Sequence, residues 1–551
     1  MPIQNPDAEA APPGADPHVP PAPEPAIAPP ANAEPIAESA AEPIAEPSAQ
    51  AVTLSPPDEP GTSAAEPGPA SATPAAPPTS LASESDAASD AASEGEGDGP
   101  DPSEQYPMLR PLDAYPMDLR DGNGALSKVL VLSDPSGIAP STVKLPPLGA
   151  AVIELCDGTR TREQICADFS KQYRSPLSLD ALNGLLQRLD DALLLDSTRF
   201  RLHCARLFAE FAGLPTRPPL FAGRHYPAPP DLEAALAQCF GPPHGPPLPT
   251  LSAEGQAQVS SQPLPRAIVA PTVDLSRAGP AYAWSYRALL DTPRLPSLIV
   301  LLGCDHAAHD ALITLTRKDF DTPLGKLKTD VALVDSLVSD LAERAPELGE
   351  LLTRDEAHHR GEHSLEMQVL LLRYILNWRA AHGLPTGLSD NAEPVILPIL
   401  CGSLHDLAAN PPSRDGKLQA QQTTAIFDEF VVALQRRVGE RQAGGATVLW
   451  VAGSDLAHVG PRFGDAEPVT ESDRDSLERR DQETLKPVLH GDAIGFLNEI
   501  RRERDRRHIY GLGTIYLFLS AARPSAGKLR CYAQCDAESG SFVSLASLWF
   551  S

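Results

Sequence analysis

The first 105 residues of the chain contain no lysine or arginine. Nineteen acidic residues lie in this stretch, so the formal net charge of −28 divides into −19 there and −9 over all later residues. Alanine, proline, serine and acidic residues make up most of it, and the unit Ala-Glu-Pro-Ile-Ala-Glu begins at Ala33 and again at Ala41. So few apolar side chains cannot offset the entropy that is lost on ordering. Residues 1–105 are therefore predicted to form a disordered acidic tail.

Other features that the sequence lacks limit its expected partners and its expected cellular location. The arginine-rich run 501–507 is interleaved with Glu503 and Asp505, which disfavours the counterion release that drives binding to nucleic acid or to an anionic membrane. No apolar run reaches the length of a membrane span, and the N-terminus lacks the basic and apolar segments of a secretory signal. The eight cysteines, such as Cys166 and Cys239, are scattered rather than spaced as a disulfide framework. We expect a cytoplasmic protein with reduced thiols and with no nucleic-acid or membrane partner.

Three short polar segments carry the chemistry of the chain: Gly-Cys-Asp-His at 303–306, Glu-His-Ser-Leu-Glu-Met at 362–367, and Ser-Asp-Leu-Ala-His-Val-Gly at 454–460. The first and third follow the apolar runs 298–302 and 447–451, which are predicted to be buried strands. Open α/β sheets keep their ligand sites at the carboxyl ends of the strands. Imidazole and carboxylate groups collected there can bind a metal or act as acid and base.

Residues 106–201 have the pattern of a small mixed domain, a winged helix-turn-helix. The expected elements are strands at 128–133 and 141–145, helices at 148–156 and 161–173, a third helix after Ser178, and a terminal hairpin that pairs 193–195 with 200–202. Thr161 and Gln164 fit a capping box at the start of the second helix. Residues 202–217 are predicted to be a linker helix.

Part of this domain resembles PqqD-like domains. The residues that carry the resemblance are Leu155–Thr161, Ile165, the leucine-rich third helix and Asp191–Leu195. In that family the fold typically recognises a peptide by adding it as a strand, so the resemblance implies a peptide or protein partner. A winged helix that only packs on its neighbour is an open alternative. DNA reading is disfavoured because the third helix carries three aspartates against one arginine.

Residues 218–551 resemble the MEMO family, which includes the proteins named AmmeMemoRadiSam system protein B. The motifs that carry the resemblance, in chain order, are Ala222–Pro227, Ala267–Pro271, Ser276–Tyr286, Leu302–His306, Thr322–Gly325 with Asp330, Glu362–Glu366, Ile396–Gly402, Ser454–His458 with Gly460–Phe463, and Val543-Ser544. The resemblance implies an α/β fold like that of class III extradiol dioxygenases, which is an α/β sandwich with a central mixed sheet.

The chain departs from this family at two of its three metal-ligand positions. Thr272 stands in place of a histidine, His306 is kept, and Tyr510 stands in place of a cysteine. Because neutral hydroxyl groups are poor ligands for transition metals, the inherited site is expected to be lost or rebuilt. The residues that could rebuild it are Asp274, Asp305 and His508. A rebuilt set of imidazole and carboxylate groups would suit iron, copper or zinc.

The other polar residues match the family pattern. We expect His363, Asp455 and His458 to be catalytic. The residues expected to line the pocket are Thr272, Glu362, Glu366 and Tyr510. His363 and Glu366, at i and i+3, would share a helix face, and Asp455 and His458 could form a hydrogen-bonded acid–base pair. In the alternative, Glu362 or Asp455 caps a helix and the histidines are satisfied buried groups.

Three functional hypotheses follow. The favoured one is a binding protein or pseudoenzyme that binds a small molecule or a peptide in the sheet-end cleft without metal. In it the Tyr510 hydroxyl satisfies His306, and the winged helix recruits a partner or peptide. The second is a metal-dependent, dioxygenase-like oxidoreductase with a rebuilt site. The third is an accessory factor that presents a peptide to a radical-SAM protein. Whether the chain is an enzyme stays open at this point.

Overall fold

The computed structural model describes residues 105–551, except 121–125, 135–136, 140, 254, 260–262, 307–311, 388–391 and 410–413. The predicted acidic tail thus lies outside the described residues apart from Gln105. By their contacts, all described residues belong to a single unit. None of the described helices is both long enough and apolar enough to cross a membrane. All eight cysteines are free thiols.

A small N-terminal module begins the described chain. Its elements are β1 Asp113–Arg120, β2 Leu126–Ser133, β3 Val143–Leu145, α1 Pro147–Ile153, α2 Arg162–Tyr173, α3 Leu179–Asp191 and α4 Thr198–Gly213. The three strands form an antiparallel sheet in the order β1-β2-β3. The inward positions of the helices, such as Ile165, Phe169 and Leu182, are buried together in one apolar core. The three expected helices and both expected strands are therefore present.

The predicted terminal hairpin of this module is wrong. Residues 200–202 lie inside α4, whose first turn is capped by the Ser197 hydroxyl accepting from the backbone N–H of Phe200 at 3.2 Å. Leu195 pairs instead with Leu109, near the start of the module. The short apolar run has no helical or strand periodicity of its own, so it does not fix its own secondary structure. The Ser197 N-cap and the pairing of Leu195 with Leu109 decide it instead. The likeness to PqqD-like domains stays a prediction.

The predicted capping box of α2 is confirmed. The Thr161 hydroxyl accepts from the N–H of Gln164 at 3.3 Å, and the Gln164 side chain accepts from the N–H of Thr161 at 2.8 Å. Thr161→Ala should therefore lower the stability of α2 against local opening by about 1 kcal/mol. Native-state hydrogen exchange of the first-turn amides measures this loss. Thr161→Ser keeps the acceptor and should exchange like the parent protein, and equal exchange in both variants would contradict the role of the cap.

The remaining elements form a larger α/β unit. They are β4 Thr216–Arg217, α5 Leu232–Gln238, β5 Ala267–Ala270, α6 Leu275–Asp291, β6 Leu298–Cys304, β7 Ile313–Leu315, β8 Asp319–Phe320, β9 Lys328–Thr329, α7 Val331–Ala342, α8 Pro346–Arg354, α9 His358–Gly361, α10 His363–Ala381, β10 Val395–Cys401, α11 His405–Ala409, α12 Arg414–Ala443, β11 Val448–Gly453, β12 His458–Val459, a 3₁₀ turn Pro461–Phe463, α13 Glu471–Leu489, α14 Ala493–Glu503, α15 Leu512–Ala522, β13 Lys528–Asp536 and β14 Phe542–Phe550.

A mixed sheet lies at the centre of this unit, as predicted. Its order is β12-β14-β5-β11-β6-β10-β7, with β13 paired to β14 and β9 to β10. Strands β5, β11, β6 and β10 are parallel, whereas β14 and β7 run antiparallel to their neighbours. Both faces are covered, because Val300 and Leu302 belong to one apolar core and Ile299 and Leu301 to the other. Burial on both faces explains why β6 is a continuous apolar run.

Candidate functional site

The parallel strands bring three predicted residues to one edge of the sheet. Thr272 follows β5, His306 follows β6 and Asp455 follows β11, each two residues beyond the end of its strand. Because β5, β11 and β6 are adjacent and parallel, these three residues lie side by side. The backbone N–H of Thr272 donates to Asp455 at 2.9 Å, and the Thr272 hydroxyl donates to the same carboxylate.

Glu362 connects this edge to helix α10. Its carboxylate caps the helix by accepting from the N–H of Ser364 at 2.8 Å, and it also accepts from the N–H of His306 at 3.1 Å. The Nδ1 atoms of His306 and His363 lie 3.0 and 3.3 Å from it. Glu362 is therefore both a helix cap and a site residue. The sequence analysis treated these two roles as alternatives, but one carboxylate fills both.

The two histidines beside Glu362 differ in their pKa values. Burial alone would lower the pKa of His306, but the charge and hydrogen bond of Glu362 outweigh it and raise the pKa to about 9. Burial lowers the pKa of His363 to about 3, and Glu362 opposes this only in part. Burial would raise the pKa of Glu362, yet the two histidines hold it well below its usual range. At neutral pH the trio is an imidazolium, a carboxylate and a neutral imidazole.

Aromatic rings continue the site beyond this trio. The His306 ring stacks on His363, with 4.9 Å between centroids, and lies 6.1 Å from the Tyr510 ring. The Tyr510 ring in turn stacks on His458 at 4.3 Å. These contacts join the histidines, Glu362 and Tyr510, and the adjacent strand ends place Thr272 and Asp455 beside them. We call this group the strand-end cluster, and its members are Thr272, His306, Glu362, His363, Asp455, His458 and Tyr510.

The expected acid–base pair between Asp455 and His458 is wrong. Asp455 bonds to Thr272 instead, and Nδ1 of His458 lies 3.2 Å from the carbonyl oxygen of His508. Burial lowers the pKa of His458 to about 3, so its ring is neutral. Burial raises the pKa of Asp455, although the bonds from Thr272 oppose the rise. Strand-end placement predicted that these two groups are neighbours, but not which partner each would take.

The three inherited ligand positions do not fit a metal ion. The Thr272 hydroxyl is bonded to Asp455. Burial raises the pKa of Tyr510 to about 12, so its hydroxyl is protonated at neutral pH. Nor does Tyr510 satisfy His306 at Nδ1, as was expected for a site without metal, because Glu362 takes that position. Of the inherited set, His306 alone offers a strong donor atom.

The residues expected to rebuild the site have other partners. Asp274 caps α6 and pairs with Arg277. Asp305 accepts from His358, whose Nδ1 lies 2.8 Å away. Nδ1 of His508 lies 3.3 Å from the carbonyl oxygen of His458.

A different set of donor atoms gathers around His306. Among the described residues, the potential ligand atoms of His306, Glu362 and His363 all lie within 4.8 Å of one another. Two imidazoles and one carboxylate are a donor set that suits zinc, iron or manganese. A group of this kind is thus present, on Glu362 and His363 rather than on the three shifted candidates.

Glu366 holds a neighbouring chain segment against helix α10, next to the site. Its buried carboxylate accepts from the guanidinium of Arg217, from the backbone N–H groups of Leu220 and Phe221 at 3.0 Å, and from the Tyr226 hydroxyl. These bonds tie residues 217–226 to α10. The expected place of Glu366 on the same helix as His363 is confirmed, and its carboxylate is occupied in holding this segment.

The tied segment contributes His225, which the sequence analysis did not single out. Its ring lies 4.7 Å from the His363 ring, and Phe221 contacts both histidines. Burial lowers the pKa of His225, and its Nδ1 is buried without a hydrogen-bond partner among the described residues. The motif Ala222–Pro227 was visible in the sequence, but only the bonds to Glu366 bring it to the cluster.

Comparisons with known proteins are consistent with this architecture. The family model for Memo-like protein matches residues 217–407, which include His306, Glu362 and His363. A MEMO1 family protein of Aquifex aeolicus is 24% identical over 429 residues, which cover 76% of this chain and 95% of the relative. A relative from Methanopyrus kandleri is 25% identical over 332 residues, or 59% of this chain and 94% of its own. A relative from Saccharomyces cerevisiae is 35% identical over 118 residues, or 21% and 34%.

Proposed function

Because the chain belongs to the MEMO family, we propose that its strand-end cluster is a rebuilt metal site, which binds one divalent transition-metal ion through His306, Glu362 and His363. The observation that carries the proposal is the gathering of their donor atoms within 4.8 Å. Of the family's three ligand positions only His306 can contribute, since Thr272 and Tyr510 offer neutral hydroxyl groups.

The protonation states suit metal binding at two of the three donors. His363 is already neutral because burial lowers its pKa to about 3, and Glu362 is already ionised. His306, whose pKa is raised to about 9, must release a proton before one of its ring nitrogens can coordinate. The backbone N–H groups of His306 and Ser364 hold the Glu362 carboxylate in place. Such outer contacts orient ligands and strengthen a site.

The rest of the cluster supplies groups that position a small ligand. A bound divalent ion would polarise an oxygen of such a ligand as a Lewis acid. Tyr510 presents a protonated hydroxyl as a hydrogen-bond donor, and its ring lies within 6.1 Å of the His306 ring. His458, kept neutral by burial, can accept a hydrogen bond. Asp455, held by Thr272, adds a carboxylate beside them. The arrangement favours binding and orienting a small polar molecule next to the ion.

Calorimetric titration of metal-free protein with Zn²⁺ and Fe²⁺ tests the site. We expect one equivalent to bind, and His363→Ala to weaken affinity on the order of 100-fold or more, since even an outer-shell partner is typically worth 10–100-fold. His490→Ala, at an exposed histidine that bonds only locally to the Lys486 carbonyl, is the matched control and should bind like the parent. Elemental analysis of protein from its native host identifies the ion.

Two results would overturn the rebuilt site. One is the absence of tight binding by the parent protein. The other is tight binding that survives both His306→Ala and His363→Ala. In the first case the His306–Glu362 ion pair is the resting arrangement, and a binding role without metal becomes the better explanation.

A further inference from the structure

Strand β1 of the N-terminal module packs against the larger unit beside the strand-end cluster. It lies on the 3₁₀ turn Pro461–Phe463. The guanidinium of Arg462 lies 5.2 Å from the centre of the Tyr115 ring, and Tyr115 is buried. The Ser539 hydroxyl donates to the carbonyl oxygen of Pro116 at 3.0 Å. Two adjacent residues of β1 therefore contact two separate loops of the larger unit.

The same 3₁₀ turn also contacts the strand-end cluster. The Phe463 ring lies 5.0 Å from His458 and 6.4 Å from Tyr510. Its neighbour Arg462 is held in place by an ion pair with Glu538 at 3.4 Å and by the Ser541 hydroxyl, which accepts from the Arg462 N–H at 2.9 Å. One short turn therefore contacts β1 with Arg462 and the cluster with Phe463.

The alternation of side chains along β1 places Asp113 on the same face as Tyr115. Tyr115 contacts Arg462, so this face is turned toward the larger unit. The electrostatic environment of Asp113 agrees with this orientation. Desolvation by the surrounding protein raises the pKa of Asp113, and the positive charges of Arg462 and His306 oppose that rise. The Asp113 charge also acts on Tyr510. Strand parity and charge thus agree in placing Asp113 on the side of β1 that faces the cluster.

We propose that β1 covers the strand-end cluster and places Asp113 at its rim, so that the N-terminal module is part of the site. Together with the carboxylates of Glu362 and Asp455, the added carboxylate makes the site more negative. It therefore favours a cation, or a ligand with a cationic group, over an anion. The part of the proposal that concerns cations rests on the metal site proposed above, whereas the cover does not.

Carbethoxylation of metal-free protein tests the cover. The side chain of His363 is 23% exposed and its ring is neutral, so it reports access to the cluster. Tyr115→Ala should raise its modification rate about two- to fivefold, the factor expected when a cation–π contact at the weak end of the usual range no longer holds the closed state. Tyr115→Phe keeps the ring and should react like the parent, with His490 as the internal standard. An unchanged rate in Tyr115→Ala overturns the cover.

Zn²⁺ titration tests the rim residue. Asp113→Asn should weaken binding about threefold at low salt, because one charge is lost at moderate distance, and the difference should shrink as salt is added. Asp118→Asn changes an exposed aspartate of the opposite parity on the same strand and is the matched control. Equal affinity in the two variants overturns the role of Asp113. A parent protein that binds no Zn²⁺ refutes the metal site instead, and the carbethoxylation result then decides the cover alone.

Discussion

Replacing Arg217 with alanine should destabilise the protein by about 3–5 kcal/mol, the usual cost of leaving one partner of a buried ion pair unpaired. The Arg217 and Glu366 side chains are 0% and 1% exposed and form an ion pair with each other. The guanidinium also donates to the carbonyl oxygens of His359 at 3.0 Å and of Glu362 at 2.9 Å. The variant would leave a buried carboxylate without its cation and would remove the bonds to these two carbonyl groups. Urea unfolding measures the loss.

The matched control is Arg206→Ala on α4, where the ion pair with Glu210 spans 3.8 Å and both side chains are about two-thirds exposed. That variant should change stability by less than about 1 kcal/mol. A second variant, Arg217→Met with Glu366→Gln, removes both charges and should recover part of the loss, because no unpaired charge remains buried. If Arg217→Ala were no more costly than Arg206→Ala, Glu366 would not depend on Arg217 for its charge.

Metal affinity should rise about tenfold for each pH unit between pH 6 and about pH 9 and then level off. The ion competes with the single proton that His306 keeps up to a pKa of about 9. His363 and Glu362 do not contribute, because both pKa values lie well below this range. Competition between the protein and a chromophoric chelator for Zn²⁺, repeated across the pH range, gives the slope. A slope near zero would show that His306 is not a ligand.

The metal-free protein should show the opposite trend. The folded-state pKa of His306 lies above its ordinary value of 6.5. Its ion pair with Glu362 therefore contributes stability that is fully present below about pH 6.5 and is lost as the pH rises through about 9. The difference in unfolding free energy between the parent and His306→Ala isolates this contribution. It should shrink toward high pH while the affinity for metal grows.

Local signals in the sequence were sufficient to predict several features. The apolar run 298–302 became the buried strand β6, and the strand-end rule placed His306 at its carboxyl edge. The capping box at Thr161 formed as predicted because both of its partners lie within one turn of the chain. Such features depend on residues that are close to one another in the sequence, so they can be predicted without knowing the fold. The family motifs likewise predicted the mixed sheet.

Tertiary structure alone decided which partners the site residues take. Glu362 bonds to His306, which lies 56 positions away, and His225 reaches His363 only because Glu366 and Arg217 hold the segment between them. β1 and Asp113 reach the cluster across an even longer separation in the chain. These choices depend on distances of a few ångströms between groups that are remote in sequence. No periodicity or motif records such distances, so the sequence indicated the residues of the site, and the packing of the sheet and its helices determined how they combine.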